Sequence, residues 1–286
     1  MINIQKNILL SKYTTLGVGG PAKYLVIVNT TEELIEALDY ARNKHLEFAI
    51  IGGGSNLLVS DKGFYGLAII NRSGSWRKEG SYIVADSGAN LTKVAYDALE
   101  AGWTDLAFAS GIPGSVGAAV VGNVGVPDSS ISDVLVSTIV WDGGLIKEIV
   151  NSELNFGYRT SILKQNRDVV VISAKFKLSN GKMDDTLKII LEDKKRRAFS
   201  YVGRTAGSYF KNPKGDKSAG ELIDSLGLKS YSIRGAEISQ NHANVIRNMG
   251  EATAGDIYDL EKYVIEKVKD GYNITLEPEV VKLGKF

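Results

Sequence analysis

The apolar positions change period twice before residue 52. Residues 23–28 form an apolar run and predict a strand. Leu34, Ile35, Leu38 and Ala41 then recur at helical spacing. Thr30 or Thr31 can cap that helix, and Glu32 and Glu33 lie in its first turn, where the helix dipole favours acids. Residues 48–51 are a short buried strand that runs into a turn at 52–56, so the stretch reads as a small β-α-β unit. From 66 to 177 the texture changes. Short apolar runs at 67–70, 82–85, 134–140 and 169–173 are separated by turn residues. A single helix interrupts them, with Asn90 as cap and Leu91, Val94, Ala95, Ala98 and Leu99 on one face. Many strands with few helices predict an α+β domain rather than a doubly wound sheet. Further helices are expected at 185–199, 218–226 and 254–269. The last carries Ile257, Leu260, Val264 and Val268 on one face, with Gly271 as its stop. The chain closes on an expected strand at 274–283.

Two stretches replace periodicity with small residues. Ala109-Ser110-Gly111-Ile112-Pro113-Gly114-Ser115-Val116-Gly117 runs on to Gly122-Asn123-Val124-Gly125, and Gly52-Gly53-Gly54-Ser55-Asn56 follows the strand at 48–51. Backbone without side-chain bulk can approach a ligand closely and turn amides toward it, and Pro113 stiffens the turn. Such loops suit a pyrophosphate or the edge of a planar ring, and two of them look like two sides of a cofactor cleft; taken singly, each reads equally as a tight turn. Neither matches the dinucleotide fingerprint or the phosphate loop ending in Gly-Lys-Ser/Thr.

Composition narrows the chemistry. The 286 residues contain no cysteine and two histidines, His45 and His242, which excludes disulfides and thiolate chemistry and argues against a multi-histidine metal site. The formal net charge of +1 gives no global field for nucleic acid or a membrane. Positive charge is local, in Lys194-Lys195-Arg196-Arg197 and in Arg204, Lys211, Lys214 and Lys217; the cluster reads either as a solvated helix end or as a place for an anionic ligand. No signal peptide or membrane-spanning run is expected, and the cytoplasm is the expected compartment.

Seven motifs then occur in a recognisable order: Gly19-Gly20-Pro21-Ala22, Gly52-Gly53-Gly54-Ser55-Asn56-Leu57-Leu58, Gly111-Ile112-Pro113-Gly114-Ser115-Val116-Gly117, Phe156-Gly157-Tyr158-Arg159, Gly207-Ser208-Tyr209-Phe210-Lys211-Asn212-Pro213, His242-Ala243-Asn244 and Leu276-Glu277-Pro278-Glu279-Val280. Together they resemble the UDP-N-acetylenolpyruvoylglucosamine reductases, flavoenzymes of peptidoglycan precursor synthesis. The short spacing from Arg159 to Ser208 resembles the compact type that lacks an extra tyrosine-bearing loop. The resemblance implies an α+β architecture: a two-part FAD-binding fold of the vanillyl-alcohol-oxidase type plus a C-terminal substrate-binding domain. The implied division is 1–65, joined by a C-terminal strand at 274–286, then 66–199, then 200–273. Three places depart from the family's pattern: Gly122-Asn123-Val124-Gly125-Val126-Pro127-Asp128, Val281 where arginine is usual, and Leu16 where phenylalanine is usual.

The resemblance also implies a chemistry. NADPH reduces a bound FAD, and hydride passes to an enolpyruvyl ether conjugated to a carboxylate. Charge that builds beside the carboxylate needs stabilisation, and the same carbon needs a proton. The catalytic residues implied are Arg159, to pair with the carboxylate, Ser208 as proton donor, and Glu279 as a protonated acid that donates a hydrogen bond. FAD contacts are implied at Gly52, Gly53, Gly54, Ser55, Asn56, Leu57, Gly111, Ile112, Pro113, Gly114, Ser115, Gly117 and Asn123. Substrate contacts are implied at Tyr158, Lys211, Asn212 and Asn244. His242 is expected to help hold the Asn244 segment. The FAD is expected to be non-covalent, because there is no cysteine and neither histidine lies in a glycine loop. The chain is expected to act as a monomer on a UDP-sugar. Taken singly, Arg159 reads as a structural ion pair, Ser208 as a turn residue and Glu279 as a solvated strand residue. Two alternatives stay open: a flavin oxidase of alcohols or lactones, and a non-catalytic flavin or nucleotide-sugar binding paralogue.

Overall fold

Thr30 starts the first helix. It stands at φ −130°, ψ 162°, and its hydroxyl accepts a hydrogen bond from the Glu33 amide at 3.2 Å, a cap worth about 1 kcal/mol. The helix Thr31–Asn43 buries Leu34, Ala37, Leu38 and Ala41. The strand Pro21–Val28 precedes it, and Phe48–Ile51 follows and pairs in parallel with Phe64–Asn71, which lies between the two. The structure, a computed structural model, describes residues 2–286, and these divide into two units of interleaved sequence. The first unit takes the residues up to Gln5 with Leu25–Gly53 and Gly66–Lys194; the second takes Lys6–Tyr24, Gly54–Tyr65 and Lys195–Phe286.

The first unit's main sheet is antiparallel, in the order Leu145–Val150, Leu135–Asp142, Val169–Lys177, Tyr82–Asp86, Trp76–Glu79. Asn90 caps the helix Leu91–Glu100 by accepting from the Lys93 amide at 2.9 Å. Leu91, Val94, Ala95 and Ala98 of that helix share a buried cluster with Ile83, Ala85, Ala174 and Phe176 of the sheet. Hydropathy alone yields one helix between 66 and 177; three more are present, Val116–Gly122, Ile131–Val134 and Ile162–Gln165. Val116–Gly122 is valine, alanine and glycine with no polar face, so it has no helical period to read, and the other two are single turns. The outer strands Trp76–Glu79 and Leu145–Val150 are mostly exposed, so they too lack an alternating signal.

In the second unit four short strands pair in the order Arg204–Thr205, Ile246–Asn248, Ala236–Ile238, Ser232–Ile233. The helix Ala254–Tyr272 buries Ile257, Leu260, Val264 and Val268 completely, each worth about 1.5–3 kcal/mol. Thr253 caps it from within the chain, and the Asp61 carboxylate accepts from the amides of Ala254 and Gly255, both at 2.9 Å. Two expectations are corrected here. The helix runs through Gly271 and stops at Asn273, which takes the left-handed conformation at φ 56°. The closing strand is only Val281–Leu283, paired in parallel with Leu57–Val59. Pro278 has no amide to give a ladder, and the stretch before it is an irregular arm with one bridge, Phe210 to Pro278.

Candidate active site

In the first unit the two glycine loops run backbone against backbone. A Cβ on Gly52 would stand 2.5 Å from Ser115 Oγ, and one on Gly53 would lie 3.7 Å from Gly114 Cα. Gly53 and Pro113 are exposed, Gly52, Gly111, Ile112 and Gly114 are half-buried, and Ser115 is buried. Gly52, Gly53, Gly111 and Gly114 leave backbone with no side chain of its own along two adjoining loops, as a planar or phosphorylated group needs for close approach, and on this observation the residues fit FAD. The hydrogen bonds show how the second loop is held. Val116 and Gly117 donate their amides to the carbonyls of Ala89 and Ser87 at 2.9 and 2.8 Å, and the Gly114 carbonyl accepts from Leu91. Thr92 Oγ1 donates to the Ile112 carbonyl at 3.0 Å. Gly117 therefore braces the loop, and a Cβ on it would lie 2.8 Å from Ser87 Cβ.

Asn123 ends the helix Val116–Gly122 in the left-handed conformation, φ 43°. Its buried amide donates to the Gly157 carbonyl at 3.1 Å and accepts from the Ser132 amide at 3.0 Å. That ties down a two-residue hairpin in which Gly157 and Thr160 exchange backbone hydrogen bonds and Tyr158 and Arg159 form the tip. Arg159 itself stands at φ +58°, a conformation costing a non-glycine residue about 1–2 kcal/mol. Its Nη2 donates to the Gly125 carbonyl at 2.9 Å, and its guanidinium lies 5.2 Å from the centre of the exposed Tyr158 ring. Lys164 Nζ donates to the Arg159 carbonyl at 2.8 Å. The altered stretch after Gly122 thus has a definite structure. Gly125–Val126 and Ser129–Ser130 pair around Pro127 and Asp128, and the Gly125 carbonyl accepts a hydrogen bond from Arg159.

The second unit gathers the other residues singled out in the sequence. Ser208 is half-buried, and its hydroxyl lies 3.2 Å from Tyr201 Oη. The Tyr201 ring stacks on His242 with centroids 6.0 Å apart and planes at 27°. His242 does hold the Asn244 segment: its Nδ1 accepts from the Asn244 amide at 3.2 Å. Burial, then the charges of Lys229 and Arg196, lowers the His242 pKa, which favours the neutral ring. Asn244 is buried, and its side chain grips Phe210 on both sides, accepting from its amide at 2.9 Å and donating to its carbonyl at 2.8 Å. Tyr209 is fully buried; its hydroxyl donates to Glu261 at 2.9 Å, and Lys282 Nζ reaches the other oxygen of that carboxylate at 2.6 Å. Burial, followed by the Glu261 charge, pushes the Tyr209 phenol up, so it stays protonated.

Glu279 is fixed through its backbone. Its amide donates to the Tyr209 carbonyl at 2.8 Å, and its carbonyl accepts from Asn56 Nδ2 at 3.1 Å. Asn56 is therefore tied to the C-terminal arm, and its own carbonyl accepts from the Val281 amide at 3.1 Å. Leu57 sits opposite Val281 in the parallel pair, and the half-buried Ser55 precedes them. Gly54 is at φ +63°, where a Cβ would overlap the Tyr13 carbonyl oxygen. Lys211 pairs with Glu277, while Asn212 Oδ1 accepts from the Ala219 amide at 3.1 Å at the start of the helix Ala219–Ser225. Sequence reading passed over Tyr201, Glu261 and Lys282. Tyr201 follows a basic helix end with no motif around it, whereas Glu261 stands in register with Ile257 and Val264 on the buried face of its helix, so an acid within that apolar stripe was the available signal.

These features define a class: an α+β enzyme with a nucleotide-cofactor cradle in one unit and an ordered polar cluster in the other. Comparison with known proteins sharpens it. A family model described as FAD binding domain matches residues 22–144, and one described as UDP-N-acetylenolpyruvoylglucosamine reductase, C-terminal domain, matches 198–283. A UDP-N-acetylenolpyruvoylglucosamine reductase of Prochlorococcus marinus (strain NATL2A) is 39% identical over 289 residues, covering 99% of each chain. The reductase of Bacillus pumilus (strain SAFR-032) is 36% identical over 99% of this chain and 94% of its own. The crystal structure of the Thermus caldophilus reductase matches with a TM-score of 0.85 at 33% identity, over 99% of this chain and 100% of that one. The chain belongs to the UDP-N-acetylenolpyruvoylglucosamine reductase family.

Proposed function

We propose that the chain reduces UDP-N-acetylglucosamine enolpyruvate to UDP-N-acetylmuramate with NADPH, through non-covalent FAD, as a monomer in the cytoplasm. The observation that carries this reading is Arg159, an arginine held at φ +58° by the Gly125 carbonyl and by a hairpin that Asn123 anchors. Backbone strain at a charged residue is retained where the residue has a task, and a guanidinium fits a carboxylate. When bound, FAD would supply the hydride chemistry that links NADPH to the terminal carbon of the substrate double bond. Gly52, Gly53, Gly111–Ser115 and their neighbours are the residues that would hold it. Arg159 binds the substrate carboxylate and stabilises the charge that builds next to it. Ser208 gives its hydroxyl proton to the adjacent carbon. Glu279, as an acid, donates a hydrogen bond to the same charge. Tyr158, Lys211 and Asn212 contact the nucleotide sugar, and Asn244 contributes by fixing the Ser208–Phe210 segment. This reading keeps the three-part division 1–65 with 274–286, 66–199 and 200–273.

The Ser208→Ala variant tests the assignment. The holoenzyme is bleached with NADPH under nitrogen and then mixed with the enolpyruvyl sugar nucleotide. Bleaching should keep its normal rate, and return of the yellow colour should slow by about a hundredfold to ten-thousandfold, roughly 3–5 kcal/mol of barrier. Reoxidation by substrate at the wild-type rate would assign the proton to another group.

A further inference from the structure

We infer that Tyr201 is a positioning and relay residue for Ser208, handing its phenolic proton to the serine oxygen as Ser208 protonates the substrate. The inference rests on the function proposed above. Tyr201 Oη lies 3.2 Å from Ser208 Oγ, and both side chains are half-buried. The tyrosine cannot drift from that position freely. Its ring is stacked on His242, and His242 is fixed by the Asn244 amide on its Nδ1. Asn244 in turn grips Phe210, two residues beyond Ser208, so one scaffold aligns both hydroxyls.

The chemistry needs such a partner. An aliphatic hydroxyl that gives up its proton becomes an alkoxide, a strong base that a partly dry site stabilises poorly. A phenol is a far stronger acid than an aliphatic alcohol, so proton transfer from Tyr201 to that oxygen is downhill. The steps balance. The Ser208 O–H bond breaks as the carbon–hydrogen bond of the product forms; the Tyr201 O–H bond breaks as the Ser208 O–H bond is restored; and the phenolate takes a proton from solvent. The neutral His242 ring supplies a stacking face without competing for the proton.

The test uses Tyr201→Phe, which keeps the ring on His242 and removes only the hydroxyl. Wild-type and variant holoenzymes are bleached with NADPH under nitrogen and mixed with UDP-N-acetylglucosamine enolpyruvate. The expected result is bleaching and substrate Kd within about twofold of wild type and substrate-driven reoxidation slowed at least about tenfold, less than the roughly hundredfold or more that a directly positioned acid supplies. In mixed light and heavy water the wild-type reoxidation rate should depend on deuterium content along a curve, from more than one proton in flight, and the variant along a straight line. Tyr201→Met, which removes ring and hydroxyl together, should be slowed at least as much. Loss in Tyr201→Met with none in Tyr201→Phe, or a straight line for the wild type, overturns the relay. A wild-type protein that bleaches with NADPH and is not reoxidised by the sugar nucleotide overturns the proposed function, and the relay with it.

Discussion

Left-handed backbone at Arg159 is a cost that glycine would not carry. Replacing Arg159 by glycine relieves about 1–2 kcal/mol of strain. It also removes a hydrogen bond of about 1 kcal/mol to Gly125 and adds about 0.5–1 kcal/mol of unfolded-state entropy. The relief offsets much of this loss, so Arg159→Gly should still fold, with at most a modest fall in melting temperature. Activity should fall by about a hundredfold or more, the effect of losing one preorganised electrostatic partner. A variant with normal turnover in the NADPH assay would mean that the arginine serves only the fold. The left-handed asparagines at 123 and 273 differ in kind. Asparagine tolerates that region, and both sit where helices end.

At the scale of elements, the glycine loops separate folding from ligand approach. Gly54 is at φ +63°, and a Cβ would overlap Tyr13, whereas the nearest neighbour of a Cβ on Gly53 is at an ordinary 3.7 Å. Gly54→Ala should therefore destabilise the protein by about 2 kcal/mol or more. Gly53→Ala should leave the melting curve of the flavin-free protein in place and weaken FAD binding, read by fluorescence titration. Unchanged FAD affinity in Gly53→Ala would remove that loop from the cofactor site. Val281 is 38% exposed at the start of the last strand and uses its amide, not its side chain, to bind Asn56. Val281→Arg should accordingly fold and stay active, with a thermal midpoint near that of wild type; loss of flavin or of folding would show that the position is packed. Much of this was readable beforehand. Thr30, Asn90 and the Ile257–Val268 face were legible because caps and helical periods are local signals. The glycine loops were legible because small residues in runs have few other uses. The helix Val116–Gly122 was not, since it lacks a polar face. Nor was the Tyr201–Ser208 pair, because a contact set by tertiary packing leaves no period in the chain. The C-terminal strand is shorter than its apolar run suggests, because Pro278 interrupts the run and only Val281–Leu283 pairs as a strand.

For the whole molecule, interleaving is the main fact. Strands Pro21–Val28 and Phe64–Asn71 begin in the second unit and end in the first, so neither unit is a continuous stretch that could be cut out. Among the described residues no helix is long and apolar enough to cross a membrane. The net charge of +1 provides no long-range field for nucleic acid or a membrane. Family membership extends over 99% of the chain, so the central claim concerns the intact protein and its net reaction. The most direct measurement is the mass of the sugar nucleotide after incubation with the flavin-loaded protein and NADPH under nitrogen. The account predicts that UDP-N-acetylglucosamine enolpyruvate gains two hydrogens, with one NADPH consumed for each product formed. A substrate recovered at unchanged mass, with NADPH consumed only when oxygen is admitted, would contradict it.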